Sequence, residues 1–434
     1  MIFLKKKKRQ LRNNYSRDAI FCVSFSMLIF FQHEYVIRYI ILCSPPSGTF
    51  CKKNMYFCLK KKKNCMTKKV TILVVVVVFA VWVVERWDVW FGEHPEPEFV
   101  LEESVVGVQL TVGRDAMNER IVSWRSRGDS ALLEDGAVRL IWVSEGDTIY
   151  PKVNKRWIKS GGGEAVYYWS EVKVEAGEYR YAIATVDSVT PYYSTKVDYS
   201  DSLSVVVLGD VQDKRYNADT DSAVMRLRDE YDADFVLQLG DLIDRPHQAK
   251  WDLYFRSFEA LRTEVPMIAI VGNHDYHKGL NKYPDERFFY TFPYFLDEES
   301  NAPEVGCCEL DFGDVVLYIL DSNQPIWRQF RQRKWLKNRL ENTETDIKKI
   351  VALHHPLRSA CSVFNNLIVR WMYEGLVKKN EVGLVLAGHE HMYRVLSADE
   401  TGGYEQIITN FSFKSYGDAV DEVGRKVVEL RIEN

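Results

Sequence analysis

The order of apolar and polar residues along the chain first marks out a β-rich region between Val100 and Asp201. Short apolar runs are separated there by Gly, Asp and Asn turn signals, without a long helical stripe. Five strands are predicted, over residues 105–112, 120–124, 138–143, 166–174 and 179–186. Short strands at such intervals are typical of a β-sandwich, in which Trp124 and Tyr179 would be core aromatics. The predicted sandwich spans residues 100–201.

The pattern changes at Ser202, where apolar runs begin to alternate with helical stretches. The predicted strands cover residues 204–208, 235–239, 267–271, 350–353 and 383–387. The predicted helices cover residues 219–231, 248–261, 326–340 and 363–378. This alternation indicates an α/β domain over residues 202–434.

A third pattern precedes the β-rich region. Two lysines come before an apolar run over residues 70–84, which is short for a membrane-spanning helix of about 20 residues. Continuation through Trp87 would lengthen it, and no small-residue cleavage site follows. We therefore predict an uncleaved signal anchor over residues 66–91 and a linker over 92–99. The basic flank places the rest of the chain outside the cytoplasm, in the periplasm or at the cell surface; a buried Val-rich strand is the alternative.

Composition separates residues 1–65 from the rest. They hold 14 Lys and Arg against two acidic residues, a net charge of +12, whereas the remaining residues carry a net charge of −16. Five of the eight cysteines also lie there, without a paired zinc spacing. We interpret this basic leader as translated AT-rich upstream sequence, with translation beginning at Met66. The alternative is a genuine leader in which Ala19–Phe31 forms a first membrane segment.

Potential metal-binding side chains follow all five strands of the α/β region. They are Asp210 and Gln212, then Asp241 and Asp244, then Asn273, His274 and Asp275, then His354, and finally His389 and His391. Each block alone is also typical of an ordinary turn. However, sites in α/β sheets form at the carboxyl ends of strands, so the five blocks can converge. Seven of the nine histidines lie between residues 247 and 391, which favours one metal site.

The residue types define the chemistry. Carboxylate and amide oxygens together with imidazoles suit Mn, Fe, Zn or similar ions. A carboxylate can bridge two cations and hold them about 3.5–4 Å apart, the spacing of two-metal hydrolysis. Such a pair lowers the pKa of a bound water and neutralises charge on phosphoryl oxygens.

The chain resembles the calcineurin-like metallophosphoesterases in five ordered blocks: Asp210-x-Gln212, Gly240-Asp241-x-x-Asp244, Gly272-Asn273-His274-Asp275, His354-x-Pro356 and Gly388-His389-x-His391. The motifs cover about residues 203–410. With the preceding β-sandwich, of fibronectin type III or immunoglobulin type, the arrangement most resembles the purple acid phosphatase branch. The resemblance implies a four-layer α/β/β/α sandwich for the catalytic domain.

The resemblance also implies roles for the matching residues. Asp241 would bridge two divalent or trivalent metal ions. The first ion would be bound by Asp210 and His391, and the second by Asn273, His354 and His389.

Two further residues would act beside the ions. His274 would lie next to the scissile ester, where it stabilises the transition state and protonates the leaving oxygen. Asp275 would orient the His274 imidazole.

Two positions depart from the family pattern. Most members have His where this chain has Gln212, so the first ion would gain a weaker amide ligand or only water. The purple enzymes have a ligating Tyr at the position of Asp244. Both residues are therefore tentative ligands or supports of the ligands.

The leading hypothesis is a membrane-anchored, two-metal phosphoesterase that hydrolyses phosphomonoesters by attack of a metal-activated hydroxide. Its substrate would be a small phosphorylated molecule or a phosphoprotein. A phosphodiesterase or nuclease with the same metals is the second hypothesis. The net charge of −16 on residues 66–434 disfavours nucleic acid as its substrate. We interpret the basic stretch 328–337 as a solvated helix face. A non-catalytic surface-binding protein is the third hypothesis.

Asp244 in place of the ligating Tyr predicts a colourless enzyme. Without a tyrosinate ligand, iron lacks the charge-transfer partner that colours the purple enzymes. The absorption spectrum of the purified, iron-loaded protein checks this expectation, and a visible band that disappears on iron removal would contradict it.

Overall fold

The computed structural model describes residues 70–87, 92, 95–160, 162–198, 202–212, 218–278, 282–296, 302–303, 305–362, 364–412 and 428–433. The chain divides into two compact units, and the second begins at Trp87. The basic leader over residues 1–65, with its alternative membrane segment, lies outside the described residues.

Helix α1, Val70–Trp87, belongs to the amino-terminal part of the chain. Its 18 residues have a mean hydropathy of 2.2, and at 1.5 Å per residue the helix extends about 27 Å. By length and composition it is sufficient to cross a membrane, although a signal sequence meets the same criterion. The helix continues past the predicted apolar run, through Glu85 and Arg86 to Trp87.

The described part of the β-rich region contains two four-stranded antiparallel sheets, ordered β1-β2-β6-β5 and β4-β3-β7-β8. Their strands are β1 (Val106–Val112), β2 (Glu119–Arg127), β3 (Val138–Ser144), β4 (Asp147–Ile149), β5 (Asn154–Lys159), β6 (Glu164–Lys173), β7 (Gly177–Thr185) and β8 (Tyr193–Val197). The five predicted strands are confirmed. Strands β4, β5 and β8 were not predicted because they lack a continuous apolar run and contain few buried residues.

One buried cluster draws side chains from both of these sheets. Trp124 of β2 stacks on Tyr168 of β6 with ring centroids 5.6 Å apart. Trp142 of β3 packs in the same way on Tyr181 of β7, also at 5.6 Å. The predicted core positions of Trp124 and Tyr179 are confirmed, since both side chains are buried.

Two further sheets, ordered β11-β10-β9-β20 and β14-β15-β16-β17-β19-β18, make up the α/β region. Their strands are β9 (Ser202–Leu208), β10 (Phe235–Gln238), β11 (Met267–Ala269), β14 (Cys308–Asp311), β15 (Val315–Leu320), β16 (Lys348–Leu353), β17 (Leu384–Ala387), β18 (Arg394–Leu396), β19 (Glu405–Ile408) and β20 (Val428–Glu433). A small ribbon joins β12 (Tyr276–His277) to β13 (Tyr283–Pro284). The inner strands are parallel, whereas β14, β18 and β20 pair antiparallel at the edges.

Helices alternate with these strands, as predicted for a mixed α/β fold. They are α2 (Ala218–Glu230), α3 (Gln248–Ser257), α4 (Glu259–Arg262), α5 (Glu286–Thr291), α6 (Ile326–Asn342), α7 (Leu367–Lys379) and α8 (Ala398–Thr401), with 3-10 turns at Ser130–Leu133 and Pro293–Leu296.

Two predicted helices have different limits in the structure. The predicted helix over 248–261 is interrupted at Phe258, which separates α3 from α4. The helix predicted from residue 363 begins only at Leu367, because Asn366 has a left-handed φ of 56° that cannot continue a right-handed helix.

The β-rich and α/β regions share one hydrophobic cluster, which contains Val112 and Ile121 together with Phe235 and Trp251. This shared core accounts for the single compact unit that begins at Trp87. The buried clusters and the apolar side chains packed on them lie between residues 101 and 430. A chain beginning at residue 92 therefore keeps the core of the second unit.

The hydroxyl of Tyr181 donates a hydrogen bond of 2.7 Å to the carbonyl of Thr263 across the two regions. We expect Tyr181→Phe to lower the free energy of unfolding by about 1 kcal/mol, because the buried carbonyl loses its donor. Urea unfolding of residues 92–434 measures this change. Tyr193→Phe is the matched control, since no hydrogen bond of its hydroxyl is described; equal losses for both variants would contradict the expectation.

Candidate metal centre

The predicted site residues follow the carboxyl ends of β9, β10, β11, β16 and β17. Strands β9 to β11 are parallel neighbours in one sheet, and β16 pairs parallel with β17 in the other. His354 links the two sheets, because its Nδ1 lies 2.8 Å from the carbonyl oxygen of Leu239. Donation from Nδ1 to this carbonyl leaves Nε2 as the atom that faces the other site residues.

Asn273, His354 and His389 meet at a single point. The Asn273 Oδ1 atom lies 3.0 Å from His354 Nε2 and 2.9 Å from His389 Nδ1. The two imidazole nitrogens are 3.3 Å apart. The structure thus brings together one amide oxygen and two imidazole nitrogens.

Asp241 lies beside this group and is almost completely buried, with 1% of its surface exposed. Its Oδ1 is 3.4 Å from His354 Nε2 and accepts a 2.8 Å hydrogen bond from the main-chain N–H of His274. Its Oδ2 accepts a 3.0 Å bond from Gln212 Nε2. Ligand atoms of Asp210, Asp241 and His354 lie within 4.8 Å of one another.

The other predicted ligands, Asp210 and His391, lie near each other, and Asp210 is close to Asp241. The Nε2 of His391 is 4.0 Å from Asp210 Oδ1, and both residues are buried. Gln212 is buried as well, and its Oε1 has no hydrogen-bond partner among the described residues. An orphaned, buried amide oxygen beside two carboxylates is chemically suited to a cation.

The main chain is strained at these positions. Positive φ angles occur at six described non-glycine residues, and four of them are predicted ligands: Asp210, Asp241, His389 and His391. Such angles are uncommon outside glycine, and they concentrate at functional sites where the surrounding structure imposes them.

Two motif glycines are required by close packing of the loops. A Cβ atom on Gly272 would lie 2.0 Å from the main-chain nitrogen of Asp241. Gly240 has a φ of +85°, and a Cβ there would lie 2.7 Å from His354 Nδ1. Any larger residue would force the ligand loops apart.

His274 is oriented by the main chain. Its Nδ1 lies 2.8 Å from the carbonyl oxygen of Asp244, so Nδ1–H donates and Nε2 is left for chemistry. The Asp244 carboxylate itself accepts from Arg245 at 3.2 Å. Asp244 therefore orients His274 through its main-chain carbonyl, while its side chain pairs with the Arg245 guanidinium.

The expected contact between Asp275 and the His274 imidazole is wrong. The buried Asp275 carboxylate accepts four main-chain N–H bonds instead. They come from Asp241 at 3.0 Å, Leu242 at 3.0 Å, Ile243 at 3.3 Å and Gly272 at 2.8 Å. The tight turns of these loops direct several main-chain N–H groups into the interior. One buried carboxylate accepts hydrogen bonds from all of them.

Electrostatics distinguish the buried ionisable groups. Burial opposes ionisation of Asp241, but the neighbouring His354 and His274 outweigh it and hold the pKa of Asp241 well below its usual range. Burial likewise opposes protonation of His354, but the charge of Asp241 raises its pKa. Burial and the nearby His355 and His354 lower the pKa of His389 well below its usual value. An ionised Asp241 and a neutral His389 are the forms that bind metal ions.

A loop that the sequence analysis did not single out also reaches the centre. It follows β15 and places Ser322 Oγ 2.9 Å from His355 Nδ1. The His355 ring in turn lies 4.1 Å from the His389 ring. Asn323 of this loop donates a 2.9 Å bond to the carbonyl of Val271. The apolar run of β15 followed by Asp321 is the same signal as at the five predicted blocks and marks this sixth strand end.

Comparisons with known proteins concern the domain family and the fold. A family model of the calcineurin-like phosphoesterases matches residues 203–393. The fold is similar to purple acid phosphatase from yellow lupin (Lupinus luteus) seeds, at 17% identity and a TM-score of 0.57, over 71% of this chain and 65% of that chain. A structure of PhoD aligns at 13% identity and a TM-score of 0.49, over 78% of this chain and 86% of that chain. A comparison with curated proteins gave no match.

The chain spans less than two thirds of the lupin enzyme's length, and at 17% identity the likeness concerns the fold. The structure combines a mixed α/β fold with carboxylate, amide and imidazole groups at its strand ends, where Asp210, Asp241 and His354 could hold a metal ion. Residues 203–393 match the calcineurin-like phosphoesterase domain, the family that the motifs predicted.

We expect Asp275→Asn to destabilise the metal-free protein by about 1–3 kcal/mol, because an amide NH2 would face main-chain donors that need an acceptor. Urea unfolding in the presence of a chelator measures this loss without a contribution from bound ions. Asp244→Asn is the control, since the partner of that carboxylate among the described residues is the partly exposed Arg245. Equal stability of the two variants would contradict the role given to Asp275.

Proposed function

We propose that the chain is a two-metal phosphoesterase that hydrolyses phosphate esters, with phosphomonoesters as the preferred class. The observation that carries this proposal is the position of Asp241. Its Oδ1 lies 3.4 Å from His354 Nε2 and its Oδ2 accepts a hydrogen bond from Gln212, so the carboxylate contacts ligand-type side chains of both predicted groups. The family domain over residues 203–393 supports the reaction class.

The donor set fits two cations of the Mn, Fe or Zn type. Asp210 and His391 would hold the first ion, Asp241 would bridge, and Asn273, His354 and His389 would hold the second. The orphaned Oε1 of Gln212 supports a further oxygen ligand at the first ion. When bound, the ions would neutralise phosphoryl oxygens and lower the pKa of a water molecule.

The chain's own residues supply orientation and a proton. The Asp244 carbonyl fixes the His274 ring through Nδ1, so the proton for the leaving oxygen would be delivered from Nε2. The main-chain N–H of His274 bonds to Asp241 Oδ1, which couples the position of this histidine to the bridging carboxylate. Small movements of either residue would therefore disturb both metal binding and proton transfer.

Monoester hydrolysis is preferred over nuclease activity because residues 66–434 carry a net charge of −16. Long polyanions bind basic grooves, so nucleic acid is disfavoured as a partner. A phosphodiesterase with the same ions remains the second candidate. The number of strained, buried ligand positions disfavours the non-catalytic surface-binding hypothesis, because strain of this kind accompanies function.

The finer architecture is also part of the proposal. The two antiparallel sheets share the Trp124 and Trp142 cluster, which supports a fibronectin or immunoglobulin type sandwich over residues 100–201. Two sheets with helices between their strands support the four-layer α/β/β/α arrangement over 202–434. Helix α1 supports a signal anchor over 66–91, with the linker 92–99 and the catalytic domain outside the cytoplasm.

One experiment separates these roles. Residues 92–434 are purified, bound metal is counted, and hydrolysis of a phosphomonoester is compared with that of a phosphodiester. We expect Asp241→Asn to lose both metal and activity. We expect His274→Ala to keep the metal but lower kcat by about 10²–10⁴-fold, the usual contribution of a general acid.

His277→Ala is the matched control, because its ring stacks on Tyr283 at 4.5 Å outside the ligand cluster. Unchanged rates in Asp241→Asn and His274→Ala would refute the catalytic assignment. Absence of both bound metal and hydrolysis in the unmodified protein would favour the surface-binding hypothesis. Faster turnover of the diester would favour the phosphodiesterase.

A further inference from the structure

Large apolar side chains are exposed around the first turns of α6 and α7. We refer to six of them as the apolar rim: Trp327, Phe330, Phe364, Leu367, Ile368 and Trp371. The two Trp side chains are each 65% exposed, and Phe364 is 74% exposed. Soluble domains rarely expose a contiguous apolar group of this kind unless it binds something.

The two helices present the rim as one surface. The rings of Phe330 and Trp371 meet edge to face with centroids 5.8 Å apart. Arg333 Nε donates a 2.8 Å hydrogen bond from α6 to the Met372 carbonyl of α7. The opposite faces of both helices are buried, for example at Leu336. The rim is thus the outer face of a fixed helix pair.

The rim lies at the same edge of the sheet as the candidate metal centre. Strand β15 is parallel to β16, and Leu320 is paired with Leu353, so both strands end at the same level. His354 follows β16 directly, and α6 begins shortly after β15, at Ile326. Helix α7 starts from the loop that follows His354. The first turns of both helices therefore border the site.

The two helices that carry the rim are basic, whereas residues 66–434 as a whole are acidic. Helix α6 has six basic residues and one acidic residue, and α7 has three basic residues and one acidic residue, a net charge of +7. Residues 66–434 as a whole carry −16. Arg328, Arg331 and Lys334 are exposed next to the rim aromatics. The sequence interpretation as a solvated face accounts for these charges but not for the exposed rings.

We propose that the apolar rim and its basic neighbours dock the domain on the surface of an anionic lipid bilayer. Trp and Phe rings favour the boundary between headgroups and acyl chains, and adjacent Lys and Arg contact anionic headgroups. Exposed rings and exposed cations alternate along α6. An anionic bilayer accommodates both kinds of side chain at once, whereas an acidic surface of a second copy would pair only with the cations. Helix α1 is long and apolar enough to hold the chain at a membrane.

Docking also defines a substrate class. Because the rim borders the candidate metal centre, phosphate esters carried at the membrane surface would be brought to the site. This consequence rests on the proposed function, whereas the docking itself does not.

Sedimentation of residues 92–434 with vesicles tests the docking without interference from α1. We expect binding to phosphatidylcholine vesicles that contain phosphatidylserine to be about tenfold stronger than to phosphatidylcholine alone. The double variant Trp327→Ser/Trp371→Ser should lose this binding, and Arg331→Glu/Lys334→Glu should weaken it by about tenfold or more. The matched controls Tyr150→Ser/Tyr192→Ser and Lys152→Glu/Arg156→Glu change exposed residues of the β-rich region and should bind normally.

Vesicle binding that is equal in the rim variants and the unmodified protein would overturn the proposal. So would a dimer that forms without vesicles, is abolished by Trp327→Ser/Trp371→Ser and does not bind lipid, because the rim would then join two copies. Asp241→Asn should still bind vesicles, and the rim variants should still hydrolyse a soluble phosphomonoester. These two measurements distinguish failure of docking from failure of the proposed catalytic function.

Discussion

Four main-chain N–H groups donate to one buried carboxylate, that of Asp275, and the geometry of the site depends on this interaction. The donors come from the loops after β10 and β11, so the bonds hold those loops together. Asp241 and His274 lie in the same two loops, and the N–H of His274 then bonds to Asp241. Charge-assisted bonds of this kind are stronger than neutral ones and are costly to break when buried. The buried Asp275 carboxylate therefore positions Asp241 and His274, although its described hydrogen bonds reach neither of their side chains.

A second constraint follows from the burial of Asp241. A carboxylate removed from water needs compensating positive charge or hydrogen bonds. The described hydrogen-bond and ion-pair partners of Asp241 are an imidazole, an amide N–H and a main-chain N–H, so positive charge comes from His354 and the nearby His274. An ion between Asp241 and His354 would replace a proton on the imidazole with a larger charge. The cluster therefore has the charge and the ligand types that could hold a metal ion.

The sequence allowed the strand ends and the convergence of their polar residues to be predicted, because apolar runs followed by Asp, Asn or His are local signals. The role of Asp275 could not be predicted, because its hydrogen-bond donors are main-chain N–H groups, which no particular residue type in the sequence indicates. The end of β15 carried a usable signal at Asp321 that was not recognised. Strand β4 could not be predicted from the apolar pattern, because all three of its residues are exposed. The exposure of Trp327 and Trp371 could not be predicted either, because it depends on which helix face the sheet covers.

The left-handed backbone at Asp210, Asp241, His389 and His391 has a consequence for the lifetime of the protein. Each such residue costs on the order of 1 kcal/mol, which packing and the proposed ions would offset. Ions that bind only the folded chain stabilise it by mass action. When they are scarce, these loops would open before the rest of the fold and become accessible to proteases. The metal supply of the compartment would then set the abundance of the protein as well as its activity.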